Sequence, residues 1–374
     1  MRARTTTVAA GLLLLPLALA ACAPTETTAT TSAATATTAD SASLTVGVAM
    51  PSTAITRWIA DGENVKAQLE DLGHEVDLRN AEDDATLQAE QIGEMIEGGA
   101  DALVVGAVDG TVLTSVLAEA KAAGIPVLSY DRLILGSDAI DYYATFDNAR
   151  VGVQQATSLL EGLGVIDATG APTGATGPFA IEVFAGSPDD NNATVFYQGA
   201  MSVLQPYLDS GVLVVPSGVT DLASVGTPGW DGEAAGQRMT TLLGQGVPLD
   251  GVLAPNDGLA RGILASLGNA GYGTGSKPWP IVTGQDAEVD SVRLVAEGTQ
   301  HSTIYKDTRQ LAEVAVSMLD ALLNGEEPET NDLTSYDNGV KVVPSYLLAP
   351  QVVTAENYEA VLIDSGYYTQ EDLR

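Results

Sequence analysis

Charged and amide side chains follow most of the strands that this sequence predicts, where they could bind a ligand. In open parallel sheets, ligands bind beyond the carboxyl ends of the strands. Both halves of the chain place such groups there, at Arg57, Asp109, Asp131, Arg132, Asp147, Asn148, Asp189, Asn192, Asn256, Asp257, Gln285, Asp286, Lys306 and Asp307. Asp and Asn after a strand also cap helices, and we assign that role to Asp109, Asp189 and Asp307. Arg132 and Lys306 cannot cap a helix start and lie beside carboxylates, so the set as a whole indicates a polar ligand.

These residue types suit a neutral ligand that is rich in hydroxyl groups. Each sugar hydroxyl donates and accepts a hydrogen bond, so carboxylates accept while Arg, Lys and amide N–H groups donate. Losing one partner leaves buried polar groups unpaired, which makes such sites selective. Trp58 and Trp230 follow loop or strand-end signals and could cover the apolar C–H faces of a pyranose; core packing is the alternative for Trp58. Trp279 stands in the turn KPWP and is interpreted as structural.

The net charge and the cysteine and histidine counts oppose several classes of function. The formal net charge is -33, and this field repels both nucleic acid and anionic ligands. The two histidines, His74 and His301, stand apart in the sequence, and Cys22 is the single cysteine. One cysteine cannot form an intramolecular disulfide framework or a thiolate cluster. The sequence therefore predicts no metal site, no cofactor and no nucleic-acid partner.

Apolar runs of strand length alternate with segments of helical periodicity beyond residue 43. The runs cover residues 44–49, 76–78, 102–107, 126–130, 142–146, 179–184, 213–215, 251–254 and 280–283. Strands separated by helices of this length pair in parallel through right-handed crossovers. The pattern predicts an α/β fold with two doubly wound units of similar size.

The N-terminal residues indicate export and attachment to a membrane. Two arginines precede an apolar stretch that is short for a membrane span and contains Pro16, so residues 1–21 are interpreted as a signal peptide. The stretch ends in LAAC at Cys22, which resembles the lipobox of bacterial lipoproteins, whose cysteine is lipidated. An ordinary cleavage site with an incidental thiol is the alternative. Residues 22–43 are almost entirely Thr, Ala and Ser, which predicts a disordered tether.

Several long blocks of this sequence resemble the periplasmic binding proteins for xylose, galactose and related aldoses. The resemblance is strongest to the multiple-sugar-binding receptors of plant-associated bacteria, and it extends from about residue 46 to residue 373. The blocks are ADG at 60–62, AEDD at 81–84, YDRLI at 130–134, YYATFDN at 142–148, GSPDDNN at 186–192, GAMSVLQPY at 199–207, TGQDAE at 283–288 and VVPSYLL at 342–348.

The resemblance implies a type I periplasmic binding protein fold, with two doubly wound parallel-sheet lobes joined by a three-segment hinge. The first lobe is expected to comprise residues 44–147 and 307–330, and the second lobe residues 148–306 and 331–374. The lobes are expected to close on a monosaccharide and present it to an ABC permease. Carried over residue by residue, the resemblance implies a ligand site formed by Arg57, Trp58, Asp131, Arg132, Asn148, Asn192, Trp230, Asp257, Gln285, Asp286 and Lys306.

Three other functions compete with an importer subunit. A glycosidase could use Asp131, Asp257 and Asp286 as its carboxylates, but no histidine, cysteine nucleophile or Gly-x-Ser-x-Gly elbow accompanies them. A transcriptional repressor of this fold needs an N-terminal basic helix-turn-helix, where this chain has the predicted signal peptide and tether. A co-receptor that presents the bound aldose to a membrane sensor kinase remains the main alternative. The expected location is the outer face of the cell membrane, through a lipid on Cys22, or the periplasm.

Overall fold

The structure, a computed structural model, describes residues 43–246 and 248–374. The strands of this part of the chain are β1 Thr45–Met50, β2 Glu75–Asn80, β3 Ala102–Val105, β4 Val127–Tyr130, β5 Tyr142–Phe146, β6 Phe179–Val183, β7 Leu213–Val214, β8 Gly251–Leu253, β9 Ile281–Val282, β10 Ser302–Tyr305, β11 Ser345–Leu348 and β12 Gln351–Thr354. Its α-helices are α1 Thr56–Asp71, α2 Ala85–Glu97, α3 Thr114–Ala123, α4 Asn148–Gly162, α5 Asn191–Asp209, α6 Leu222–Val225, α7 Gly232–Leu243, α8 Asp257–Asn269, α9 Val289–Ala296 and α10 Thr308–Leu323. A 3₁₀ turn at Pro228–Trp230 and a π-helical segment at Glu359–Ile363 complete it.

The first sheet has six parallel strands in the order β11-β5-β4-β3-β1-β2. Side chains along a strand point alternately to opposite faces, so β1 contributes to two cores. Val46, Val48 and Met50 pack against α1 and α10, whereas Ala49 packs on the face covered by α2 and α3. Helices thus cover both faces of a parallel sheet, which is the doubly wound arrangement that the sequence predicts.

The second sheet has four parallel strands in the order β7-β6-β8-β9. Helices α4 and α5 cover one face, and α7 and α8 cover the other. Glycines let the first pair approach closely, because a Cβ atom on Gly152 of α4 would overlap the carbonyl oxygen of Phe196 in α5. Beside this sheet, β10 and β12 form an antiparallel pair. The second half of the chain therefore forms a second α/β lobe, again as predicted.

Three segments connect the two lobes, and one of them corrects the predicted domain boundaries. The chain passes between lobes from β5 to α4, from β10 to α10, and from β11 to β12. Helix α10 packs on α1 and so lies in the first lobe, where the resemblance places residues 307–330. The assignment of residues 331–374 to the second lobe is wrong for β11, which pairs in parallel with β5 in the first sheet. There it covers an edge of β5, and Val343 and Leu347 pack into the first core, so the third crossing follows Leu348.

The predictions for residues 1–21 and for Cys22, and all but the last residue of the predicted tether at 22–43, lie outside the described residues. Within the described part, none of the helices combines the length and apolar composition needed to cross a membrane.

Candidate ligand-binding site

A cavity lies between the lobes, where the carboxyl ends of strands from both sheets face each other. It contains about 340 Å³ of space outside the protein atoms, part of it open to solvent. Nine of the eleven residues predicted to form the ligand site line it, namely Arg57, Trp58, Asp131, Arg132, Asn192, Trp230, Gln285, Asp286 and Lys306.

Arg57 is the central cation of this cavity. It lies in the first turn of α1, and its guanidinium contacts three carboxylates at distances of 3.0 Å (Asp61 Oδ2), 2.6 Å (Asp131 Oδ1) and 3.2 Å (Asp286 Oδ1). Asp61 is four residues along α1 and therefore on the same helix face. Burial lowers the pKa of Arg57, but the three carboxylates outweigh this effect and raise it well above its usual value. Arg57 is thus permanently charged and links both lobes.

The carboxylates that Arg57 contacts have different proton affinities. Burial raises the pKa of Asp61 to about 6, although Arg57 and a hydrogen bond from the Tyr130 hydroxyl oppose the shift. Burial also acts to raise the pKa of Asp131, but Arg57 and Lys306 lower it to about 2. Asp131 is therefore ionised at neutral pH and can accept hydrogen bonds from ligand hydroxyls.

Two further cations complete the charge pattern. The Lys306 ammonium lies 3.1 Å from Asp286 Oδ1 and 3.7 Å from Asp131 Oδ1. Arg132 Nε lies 3.0 Å from Asp190 Oδ2 across the cleft. Burial raises the pKa of Asp190 in spite of Arg132. Each buried charge in this group thus has an oppositely charged neighbour, which limits the desolvation cost of the site.

The tryptophans lie on opposite sides of the cavity. The Trp58 ring is 3% exposed, and the guanidiniums of Arg57 and Arg132 lie 4.9 Å and 5.1 Å from its centre. Trp58 also belongs to the first core, so it both packs in the core and lines the cavity; its contact with a ligand stays a prediction. Trp230 donates from Nε1 to Asp190 Oδ2 over 3.2 Å, and its ring occupies space that any side chain at Gly186 would fill.

The peptide that carries Asp131 is held by both lobes. Asp131 has a φ of 58°, which is unfavourable for a residue other than glycine. Its carbonyl oxygen accepts hydrogen bonds from the Tyr143 hydroxyl at 2.5 Å and from the Asn192 amide at 2.9 Å. Asn148 donates to Asn192 Oδ1 over 2.8 Å. These contacts fix the direction of the Asp131 carboxylate towards Arg57.

Two predicted site residues lie outside the cavity lining. Asn148 is buried behind Asn192 and orients its side chain. Asp257 is 0% exposed, and its carboxylate accepts hydrogen bonds from Gln300, Thr303 and the Glu288 amide. Asp257 therefore lies in the interior and not in the cavity wall, whereas its neighbour Asn256 lines the cavity; this placement opposes the prediction that Asp257 contacts the ligand.

Asp257 and Asp286 offer a direct test of this placement. We expect Asp286→Asn to weaken ligand binding at least tenfold, since it removes the charge that contacts Arg57 and Lys306. Asp257→Asn should leave affinity within threefold of the wild type and lower the free energy of unfolding by about 1–3 kcal/mol through disturbed hydrogen bonds. Titration calorimetry and denaturant unfolding measure the two effects; a tenfold loss of affinity in Asp257→Asn alone would reverse the assignment.

Four lining residues were not among those predicted, namely Ile55, Asp190, Phe196 and Asn256. Phe196 lies one turn after Asn192 on α5, so helical spacing could have identified it. Asp190 caps α5 by accepting from the Asn192 amide at 2.9 Å while its other oxygen faces Arg132. One carboxylate can therefore cap a helix and line the cavity at the same time. Treating these two roles as alternatives leaves Asp190 out of the predicted site.

Comparisons with known proteins agree with this architecture. The family described as periplasmic binding protein domain matches residues 46–327. A multiple sugar-binding periplasmic receptor of Rhizobium radiobacter is 53% identical over 88% of this chain and 92% of its own length. The D-xylose-binding periplasmic protein of Escherichia coli K12 is 35% identical over 88% and 92%. A Clostridium phytofermentans ABC transporter solute-binding protein, solved with β-D-glucose, has a TM-score of 0.83 at 46% identity, covering 88% of this chain and 100% of its own.

The fold and the interlobe cavity together define a two-lobed solute-binding protein with the type I periplasmic binding protein fold. The chain belongs to the periplasmic binding protein family.

Proposed function

We propose that this protein is an extracytoplasmic receptor that binds a monosaccharide of the aldose class between its lobes and delivers it to an ABC permease. The observation that carries the proposal is the interlobe cavity, in which cations and carboxylates alternate and aromatic rings flank them. The relatives named above bind sugars, as their names state.

The charges that line the cavity favour a neutral ligand. Three cations face three carboxylates, so the formal charges cancel; the groups are Arg57, Arg132, Lys306, Asp131, Asp190 and Asp286. An anionic ligand would leave a net charge in the cleft and would also meet the field of a chain with a net charge of -33. Sugar hydroxyls can insert between these groups, accepting from the cations and donating to the carboxylates.

The same ion pairs support binding without chemical change. A glycosidase needs a carboxylic acid that gives a proton to the leaving group. Asp131 stays ionised because its pKa is about 2, and Lys306 and Arg57 both contact Asp286. Burial raises the pKa of Asp190, but Arg132 and the Trp230 Nε1–H both contact its Oδ2. We infer that the bound sugar leaves the cleft unaltered.

Titration calorimetry with D-glucose, D-xylose, D-galactose and L-arabinose tests the proposal. We expect saturable one-to-one binding of at least one of these sugars, and a smaller radius of gyration by solution scattering when that sugar saturates the protein. Sugar recovered after incubation should be unchanged by NMR. The absence of binding to all four, or their chemical conversion, would contradict the proposal.

Membrane attachment is a further part of the proposal and depends on Cys22. We expect Cys22→Ala to move the protein from the membrane fraction to the soluble extracytoplasmic fraction, because a lipid at this position would be its anchor. Fractionation followed by immunoblotting measures the shift, and Thr28→Ala in the same segment is the matched control. An unchanged distribution of Cys22→Ala would contradict lipid anchoring.

Delivery to a permease is separable from sensing. A strain that lacks the protein should lose uptake of the sugar that calorimetry identifies, and expression of the wild-type chain should restore it. Normal uptake together with a lost sugar-dependent transcriptional response would instead favour the co-receptor for a sensor kinase.

A further inference from the structure

Asp61 belongs to the ADG block at residues 60–62 but is not among the predicted site residues. Its side chain is fully buried and lies outside the cavity lining. Gly62 lets α1 approach the first sheet closely, because a Cβ atom there would lie 3.0 Å from Leu78 Cδ1 and 3.3 Å from Met50 Cγ. A carboxylate in such surroundings is costly unless it is hydrogen-bonded or paired with a cation. The partners of Asp61 therefore indicate its role.

The two oxygens of Asp61 accept hydrogen bonds from two different elements. Arg57 Nε of α1 donates to Oδ2 over 3.0 Å, and the Tyr130 hydroxyl donates to Oδ1 over 2.6 Å. Tyr130 is fully buried and is the last residue of β4, directly before Asp131. Burial raises the pKa of Asp61 to about 6, so at pH 7 the carboxylate is mostly ionised and accepts both bonds. A continuous set of contacts thus connects β4 with the guanidinium in the cavity.

The guanidinium of Arg57 has five N–H donors in a fixed plane. Its Nε donates to Asp61 over 3.0 Å, its Nη1 to Asp286 over 3.2 Å and its Nη2 to Asp131 over 2.6 Å. One N–H group on each terminal nitrogen remains, and the orientation of the plane decides where these two groups point. Asp131 and Asp286 line the cavity, where a ligand would compete for them, whereas Asp61 does not. Of the three carboxylates, Asp61 is therefore the one that can hold Arg57 with or without a ligand.

We propose that Asp61 and Tyr130 are positioning residues, which hold the guanidinium plane of Arg57 so that its two remaining N–H groups face the hydroxyls of the sugar. The proposal rests on the proposed function, because Arg57 must contact a sugar. Donors that are already oriented lose less conformational freedom when a ligand binds. Loss of either positioning residue should therefore weaken sugar binding, although every group that lines the cavity except the orientation of Arg57 is retained.

Tyr130→Phe tests the positioning role with the smallest change, because it keeps the ring and removes the hydroxyl that donates to Asp61. Titration calorimetry at pH 7 with D-glucose, D-xylose, D-galactose and L-arabinose should show binding that is at least threefold weaker than in the wild type. Tyr197→Phe is the matched control: its hydroxyl donates to the Thr220 carbonyl oxygen, also over 2.6 Å, and Tyr197 does not line the cavity. This control should bind within twofold of the wild type.

The calorimetry distinguishes failure of the positioning role from failure of the proposed function. If the wild type binds a sugar and Tyr130→Phe binds it equally well, the positioning role is refuted while the proposed function stands. If the wild type binds none of the four sugars, both fail.

Two substitutions of Asp61 separate positioning from a purely structural role. In Asp61→Asn, the amide oxygen can accept from Arg57 Nε while the amide nitrogen donates to the Tyr130 hydroxyl oxygen, whereas Asp61→Ala offers neither contact. We expect Asp61→Ala to bind sugar at least tenfold more weakly than the wild type, and Asp61→Asn to bind at least threefold more tightly than Asp61→Ala.

NMR of the arginine side chains follows Arg57 directly. The Arg57 Nε–H should exchange with solvent at least tenfold faster in Asp61→Ala than in the wild type, with backbone amide exchange in β4 unchanged, and Asp61→Asn should restore slow exchange. Reduced stability in Asp61→Ala with unchanged Arg57 exchange and sugar affinity would overturn the positioning role. If Asp61→Ala does not fold, the affinity of Tyr130→Phe decides the question.

Discussion

Replacing Arg57 with alanine is expected to abolish measurable sugar binding and to lower the free energy of unfolding by about 3–5 kcal/mol. Removing one partner of a buried ion pair leaves the other charge without compensation, which accounts for a loss of this size. Here a single guanidinium contacts the carboxylates of Asp61, Asp131 and Asp286. Titration calorimetry and urea unfolding measure the two losses separately.

Arg79→Ala is the matched control for this prediction. Arg79 also pairs with two carboxylates, those of Asp77 and Glu94, but its side chain is 29% exposed and lies on β2, outside the cavity lining. Exposed ion pairs contribute about 0–1 kcal/mol, so this variant should keep its sugar affinity and nearly all its stability. Equal losses in the two variants would show that Arg57 has no special role in the site.

The role of Arg57 can also be tested in a double variant that removes one of the buried carboxylates left unpaired by Arg57→Ala. In Arg57→Ala combined with Asp61→Asn, the carboxylate whose pKa burial raises to about 6 is replaced by a neutral amide. The double variant should recover part of the lost stability but none of the sugar affinity. That split would separate the structural effect of Arg57 from its contact with the ligand.

Trp58→Ala should have the second largest effect, because Trp58 packs in the first core and also lines the cavity. Its ring is 3% exposed and packs with the first core, and truncating a buried tryptophan costs about 3–5 kcal/mol of stability. The remaining folded protein should bind sugar at least tenfold more weakly, which corresponds to about 1.4 kcal/mol. The lost ring also frees the guanidiniums of Arg57 and Arg132, whose positions it restricts.

Trp279→Ala provides the comparison for Trp58. The Trp279 ring is half-buried against Gly273 in the second lobe and is absent from the lining of the inner cavity. Its loss should reduce stability but leave sugar affinity within threefold of the wild type. Trp58→Phe should keep more stability than Trp58→Ala. If Trp58→Ala folds and binds sugar normally, Trp58 only packs in the core and does not contribute to sugar binding.

The contacts that Arg57 makes also suggest how closure is coupled to the ligand. Asp61 and Asp131 belong to the first lobe, whereas Asp286 follows β9 of the second. A ligand between these groups gains contacts with both lobes only when they are close together. A ligand that makes more contacts in the closed form than in the open form shifts the population towards the closed form.

The sequence by itself determined the repeating α/β pattern and the edge of the sheets at which polar groups collect. Both follow from local information, since strand and helix periodicity and the residue after each strand can be read directly. Nine of the eleven site residues that the resemblance implies line one cavity. The two exceptions, Asn148 and Asp257, are the first residues of α4 and α8 and are buried outside that lining.

Only the tertiary structure decided which neighbours the polar side chains have. Ser345–Leu348 pairs with β5, which lies about 200 residues earlier in the chain. Periodicity does not encode contacts between segments so far apart, so the sequence did not predict this pairing. The pKa values of Asp61 and Asp131 likewise differ, about 6 and about 2, although both contact Arg57. Burial and the proximity of Lys306 set that difference, and both are properties of the folded chain.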